Sequence, residues 1–293
     1  MKRQQVVGFI GMGVMGRSMA SHLMAKGYQL SINTRTKAKA EELIAKGAKW
    51  CDSAKEVAQT SDVMITMVGF PSEVAEVYFG EEGILSHGKA GSYVIDMSTS
   101  EPTLAIQIYE EAKKRGLIAL DAPVSGGDRG AKAATLSIMV GGDEEAFNAM
   151  RPVFEAMGTN IVYQGPAGSG QHTKMSNQIA IAAGMLAVTE ALAYAKKAGL
   201  NPEKVLKSIE SGAAGSWSLS NLGPRMLGGD FAPGFYVKHF VKDMQIAVHE
   251  AKKMELQADG LALALEKYQE LVSRGGEDFG TQALFKLVMD EEG

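Results

Sequence analysis

Residues 6–16 read VVGFIGMGVMG, and this stretch constrains the fold more than any other. A short apolar run from Val6 to Ile10 has the character of a buried strand. It ends in Gly11, Gly13 and Gly16, spaced G-x-G-x-x-G, and the helix-forming RSMASHLMAKG follows at once. Each glycine has a physical role in a dinucleotide site. Gly11 permits the tight turn, Gly13 carries no side chain to hold a pyrophosphate away, and Gly16 lets the helix pack closely on the strand. The helix start then offers unpaired N–H groups and a positive dipole end to phosphate. We assign Gly11, Met12, Gly13, Val14, Met15 and Gly16 to cofactor binding. The bland alternative, an ordinary tight turn, does not need all three glycines at this spacing.

Further strand-like runs cover 28–32, 62–68, 92–97, 117–124, 135–142 and 160–165, and charged amphipathic segments such as 37–46 and 103–115 lie between most of them. This alternation predicts a mainly parallel, doubly wound sheet with helices on both faces, an α/β Rossmann domain over 1–165. Ligands of such sheets bind beyond the carboxyl ends of the strands. Met67 and Val68, at one such end, are therefore added to the cofactor set. After Gly165-Pro166 the pattern becomes all-helical, giving a second domain over 166–293 for substrate and dimerisation. It begins with a long apolar helix at about 171–199, expected to be buried on most sides. Asn201-Pro202 caps and starts the next helix, and a loop is expected around 222–234.

With 293 residues the chain suits two domains, and a net charge of −4 with no basic block argues against a nucleic-acid partner. The single cysteine, Cys51, excludes an internal disulfide and reads as an ordinary, partly buried thiol. Met1-Lys2-Arg3 superficially suggests a signal peptide, but cleavage after the following apolar run would destroy the glycine turn. No apolar stretch reads as long enough to span a bilayer. We expect a cytoplasmic protein with no membrane partner, assembled as a homodimer or homotetramer.

The end of the second strand usually carries the acid that accepts from the ribose 2′-OH of NAD. Here the stretch is Asn33-Thr34-Arg35-Thr36-Lys37, without a carboxylate. Arg35, flanked by Thr34 and Thr36, suits a 2′-phosphate. NADP is favoured and NAD remains possible; the alternative is that Arg35 is only a surface charge.

Four other places could carry chemistry. Residues 97–100 and Ser125-Gly126-Gly127 follow strands and offer hydroxyls and backbone N–H groups, the second as an anion nest for a substrate carboxylate. Lys174 and Asn177 lie on one face near the start of the long helix. A lysine on that apolar helix is costly unless functional, and burial with the positive helix end would lower its pKa toward general acid–base use. His172, about 200° around the helix from Lys174, reads as a surface or capping residue. Lys242 shares a face with Lys238 and His239, either as part of a site or as a solvated basic face.

Together these residues resemble the β-hydroxyacid dehydrogenase family, which includes 3-hydroxyisobutyrate dehydrogenases, tartronate semialdehyde reductases and glyoxylate/succinic semialdehyde reductases. The motifs are Gly8-Phe-Ile-Gly11-Met-Gly13-Val-Met-Gly16, Asp121-Ala-Pro-Val-Ser125-Gly126-Gly127, Gly170 with Lys174 and Asn177, and Lys242-Asp243, in that order along the whole chain. The resemblance implies that Lys174 exchanges the proton with the substrate hydroxyl. Ser125, Gly126, Gly127, Asn177 and Lys242 would hold a small carboxylate substrate, and Thr99 and Lys242 would contact the nicotinamide riboside. It further implies an NAD(P)-dependent 3-hydroxyacid dehydrogenase or semialdehyde reductase. Thr34 departs from the Asn-Arg-Thr form of NADP-using members. His239 stands where leucine is frequent in hydroxyisobutyrate enzymes, and with Lys238 beside it this hints at a more polar or more anionic substrate. Two other readings are an imine reductase, which Lys174 disfavours, and a non-catalytic dinucleotide-binding scaffold protein.

Overall fold

A computed structural model describes residues 5–289, so Met1-Lys2-Arg3 lies outside the described residues. The chain divides into two compact units, the first ending at Lys174 and the second starting at Met175.

The first unit alternates β1 (Val6–Ile10), α1 (Val14–Ala25), β2 (Gln29–Asn33), α2 (Glu41–Ala45), β3 (Lys49–Trp50), α3 (Ala54–Thr60), β4 (Val63–Thr66), α4 (Pro71–Phe79) and α5 (Ile84–His87). It continues with β5 (Tyr93–Asp96), α6 (Pro102–Lys114), β6 (Ile118–Asp121), β7 (Val124–Ser125), α7 (Gly127–Ala133), β8 (Leu136–Gly142), α8 (Glu144–Phe154) and β9 (Gly158–Gly165). The sheet order is β3-β2-β1-β4-β5-β6-β8-β7, with β9 against β8. Strands β1 to β6 pair in parallel, while β8 runs antiparallel to both β6 and β7. Central strands are apolar on both faces because helices cover both: Val7, Phe9, Val63, Ile65, Val94 and Ile95 are inaccessible to solvent. Pro123 interrupts the expected 117–124 strand, because it has no N–H for the ladder; β7 resumes beyond it. Cys51 is fully rather than partly buried, and burial pushes its thiol pKa up.

One helix, α9 (Ser169–Lys197), runs from the end of the first unit through the start of the second. By its internal contacts the chain therefore divides inside this helix, nine residues past the expected 165/166 division. The reason is that the first helical turn is hydrogen-bonded to β6, as described below. By length and composition α9 could cross a membrane, which corrects the expectation that no stretch reaches that size. Its apolar residues Met175, Ala182, Met185, Leu186, Val188 and Leu192 belong to the core of the second unit. The expected burial on most sides holds except along one stripe: Ser176, Ala180, Ala183, Ala187, Glu190 and Tyr194 recur every three or four residues on an exposed face.

The second unit adds α10 (Pro202–Ile209), α11 (Trp217–Leu227), α12 (Val237–Lys253), α13 (Asp259–Ser273) and α14 (Leu284–Val288). Asn201 caps α10 by accepting from Lys204 N, as its sequence suggested. The loop expected at 222–234 starts only after Leu227. Ser216 caps α11, and Leu219, Leu222 and Met226 bury one face, so the helix continues through Pro224.

Candidate active site

The β1–α1 turn has the shape that a dinucleotide requires. Gly11 sits at φ 103°, and a Cβ there would lie 2.2 Å from the Met67 carbonyl oxygen. A Cβ on Gly16 would meet the Gly11 carbonyl oxygen at 2.0 Å, so any side chain would force helix and turn apart. Gly13 differs, because no atom of the described residues lies within 4 Å of its missing Cβ. It precedes α1 without any side-chain cap. Open space above uncapped helical N–H groups fits a pyrophosphate. Val14 is exposed, whereas the Met12 side chain is buried in the core and leaves only backbone to face a ligand.

The ends of β4 and β5 converge on the same turn. Met67 N donates to Ile10 O, and Val68 N donates to Ser98 Oγ at 2.9 Å. Ser98 N in turn donates to Asp96 Oδ1 at 3.0 Å. At the end of β2, Thr34 is half-buried, and Arg35 and Thr36 are exposed. Arg35 does not stand alone: its guanidinium meets Glu73 Oε1 at 2.7 Å. Glu73, in the first turn of α4, is held there because its other oxygen accepts from Gly69 N at 2.8 Å. Thirty-eight residues separate the two (73 − 35), so sequence reasoning found the cation and missed its partner.

A second convergence lies where α9 begins. Asp121, the last residue of β6, is buried and receives Gly168 N on Oδ1 and Gln171 N on Oδ2, both at 2.8 Å. It caps the helix from a distant strand. Burial pushes its carboxyl pKa up, opposed by those backbone donors. A Cβ on Gly170 would meet Met139 O at 2.5 Å and Asp121 O at 2.6 Å, so only glycine lets the helix start against β6 and β8. One turn on, Lys174 is 7% exposed and its Nζ donates to Val124 O at 2.8 Å. The structure thus brings Lys174 beside the loop of Ser125, Gly126 (φ 129°) and Gly127 (φ 60°). His172 is exposed, as expected of a surface residue.

In the second unit, Asn177 Nδ2 donates to Gln178 Oε1 at 2.7 Å, and Gln178 Nε2 donates to Asp243 Oδ2 at 2.6 Å. Asp243 Oδ1 lies 2.7 Å from Lys242 Nζ. A carboxylate only accepts, so Asp243 fixes which end of each amide faces which neighbour. This chain joins Asn177 to Lys242; sequence reasoning named its two ends but not Gln178. The basic trio is not one solvated face. Lys242 is largely buried, Lys238 is exposed and paired with Asp278 at 2.5 Å, and His239 packs edge-on to Tyr236.

A glycine turn shaped for pyrophosphate and a buried lysine beside a glycine-rich loop define an NAD(P)-binding oxidoreductase. Comparison with known proteins narrows the class. Residues 6–165 match the model of the NAD binding domain of 6-phosphogluconate dehydrogenase, and 168–288 match that of the NAD-binding domain of NADP-dependent 3-hydroxyisobutyrate dehydrogenase. The chain is 61% identical over 284 residues to an uncharacterized oxidoreductase, YkwC, of Bacillus subtilis, covering 97% of this chain and 99% of that one. It is 48% identical over 279 residues to a probable mitochondrial 3-hydroxyisobutyrate dehydrogenase-like protein of Arabidopsis thaliana, covering 95% and 83%. Mycobacterium tuberculosis 3-hydroxyisobutyrate dehydrogenase with L-serine superposes with a TM-score of 0.89 at 30% identity, covering 97% and 99%. The chain belongs to the β-hydroxyacid dehydrogenase family.

Proposed function

We propose that the protein interconverts a small β-hydroxy acid, of the 3-hydroxyisobutyrate type, and its semialdehyde, with NADP preferred over NAD. The observation that carries this reading is the Lys174–Val124 hydrogen bond, which seats a buried amine beside Ser125-Gly126-Gly127. A bound nicotinamide supplies or takes the hydride. In oxidation Lys174, as a neutral amine, takes the hydroxyl proton; in reduction its ammonium form stabilises the growing alkoxide and returns the proton. Ser125, Gly126 and Gly127 hold the substrate carboxylate, and Thr99 lies on the nicotinamide side. Asn177 and Lys242, oriented by Gln178 and Asp243, complete the binding of substrate and nicotinamide riboside. Arg35 selects the 2′-phosphate. The exposed Ala-rich face of α9 supports assembly as a homodimer or homotetramer.

An imine reductase or a non-catalytic scaffold would have no use for Lys174 in this position. The test is NADPH and NADH oxidation against a panel of small semialdehydes and imines. We expect turnover of semialdehydes, and a loss of about 10²–10⁴-fold in Lys174→Ala with cofactor binding kept. Turnover of imines alone, or near-wild-type turnover by Lys174→Ala, would refute the assignment.

A further inference from the structure

We propose that Gln171 is a positioning residue. Its side chain clamps the 97–100 loop to the first turn of α9 and so sets where Lys174 stands relative to Thr99. The inference rests on the reading of Lys174 as proton donor and acceptor. The Gln171 side chain is fully buried. Its Oε1 accepts from Ser100 N at 3.0 Å, and its Nε2 donates to Ser98 O at 2.8 Å. The two backbone groups bracket Thr99 on either side.

The clamp reaches further than one loop. The Gln171 N–H is held by Asp121 at the end of β6, and Ser98 is tied to Val68, just beyond β4, and to Asp96 at the end of β5. Three strand ends are therefore tied to this residue, β6 through its backbone N–H, and β4 and β5 through the Ser98 that its side chain holds. Lys174 follows Gln171 by one rigid turn, a rise of about 4.5 Å, and its Nζ is fixed on Val124 O. The position needs one donor and one acceptor on a neutral side chain of this length, and glutamine supplies both. Methionine would fill the space and make neither bond. A carboxylate would accept from Ser100 N but oppose the Ser98 carbonyl with a second acceptor.

The test uses the full chain with Gln171→Met and Gln171→Glu. A displacement of about 1 Å at a reacting group costs on the order of 10²-fold. Gln171→Met should therefore lower kcat by about 10–100-fold while KM and the cofactor Kd stay within about threefold. In Gln171→Glu, burial and the Ser98 carbonyl both favour the protonated acid, which donates as the amide did. The charged groups around it are Asp121, Asp96 and, one turn on, Lys174; the two acids favour protonation and the lysine opposes it. The ratio of variant to wild-type kcat, in the reductive direction, should rise as pH falls.

A second readout needs neither cofactor nor turnover. Hydrogen-exchange protection at the Ser100 amide of the apo protein, relative to wild type, should be lost in Gln171→Met and should return in Gln171→Glu as pH falls. Loss of protection with unchanged kcat would make Gln171 merely structural and overturn the proposal. A pH-independent kcat ratio would overturn it as well. If protection behaves as stated while Lys174→Ala keeps full turnover, the clamp stands and the Lys174 reading fails.

Discussion

Arg35 and Glu73 are the residues on which the proposed preference for NADP rests. A guanidinium–phosphate contact contributes on the order of 1.5–3 kcal/mol, roughly 10–150-fold in affinity. The Arg35–Glu73 pair competes with that contact only weakly, because Arg35 is 87% exposed and such pairs contribute about 0–1 kcal/mol. NADPH should therefore beat NADH, with NADH still used at high concentration. Glu73→Gln should raise the NADPH/NADH ratio of kcat/KM by up to about fivefold. Arg35→Asp should reverse the order, since a carboxylate repels the 2′-phosphate and accepts from a 2′-OH. Steady-state kinetics of the three proteins with both cofactors decide this; a wild type that prefers NADH would overturn it. Arg35 was legible because it follows a strand at a known distance from the glycine turn. Glu73 was not, because an ion pair between α4 and the end of β2 leaves no local pattern.

Among the elements, α9 depends most on a remote residue. Asp121 takes two N–H groups at its start, and in Asp121→Asn one of them would face an amide NH₂ instead of an oxygen. A buried donor left unsatisfied costs about 1–3 kcal/mol, so urea unfolding should show a loss of this order. The pH dependence has a definite sign. Burial raises the folded-state pKa of Asp121 above its unfolded value, so the native state holds the extra proton. Its contribution is fully present below the unfolded pKa and is lost as pH rises through the folded one. Asp121→Asn should remove that slope from a plot of Tm against pH. Apolar periodicity made the strands and α9 readable. Less readable was α11, expected to give way to a loop from about 222, where three buried apolar residues hold the helix together to Leu227. The amide chain from Asn177 through Gln178 to Asp243 was illegible, because amides on an apolar helix look alike until their partners are placed.

The molecule as a whole has two compact units with separate apolar cores. The change from alternating strands to uninterrupted helix formers made that division visible in the sequence. The proposed assembly would use the exposed face of α9, with Ala180, Ala183, Ala187 and a 74% exposed Tyr194. Light scattering at micromolar concentration should show a dimer or larger, and Tyr194→Arg should shift it toward monomer. A monomeric wild type would refute this.

The boundary of this chain falls within one continuous helix and not in a loop. Families often diversify by swapping modules at flexible joints, and a swap at Lys174/Met175 would cut a hydrogen-bonded helix. A fragment ending at 165 discards both N–H groups that Asp121 holds, whereas one ending a turn beyond Lys174 keeps them. The unit of inheritance is therefore the pair: a chimera between relatives must carry the first turn of α9 with the sheet that caps it.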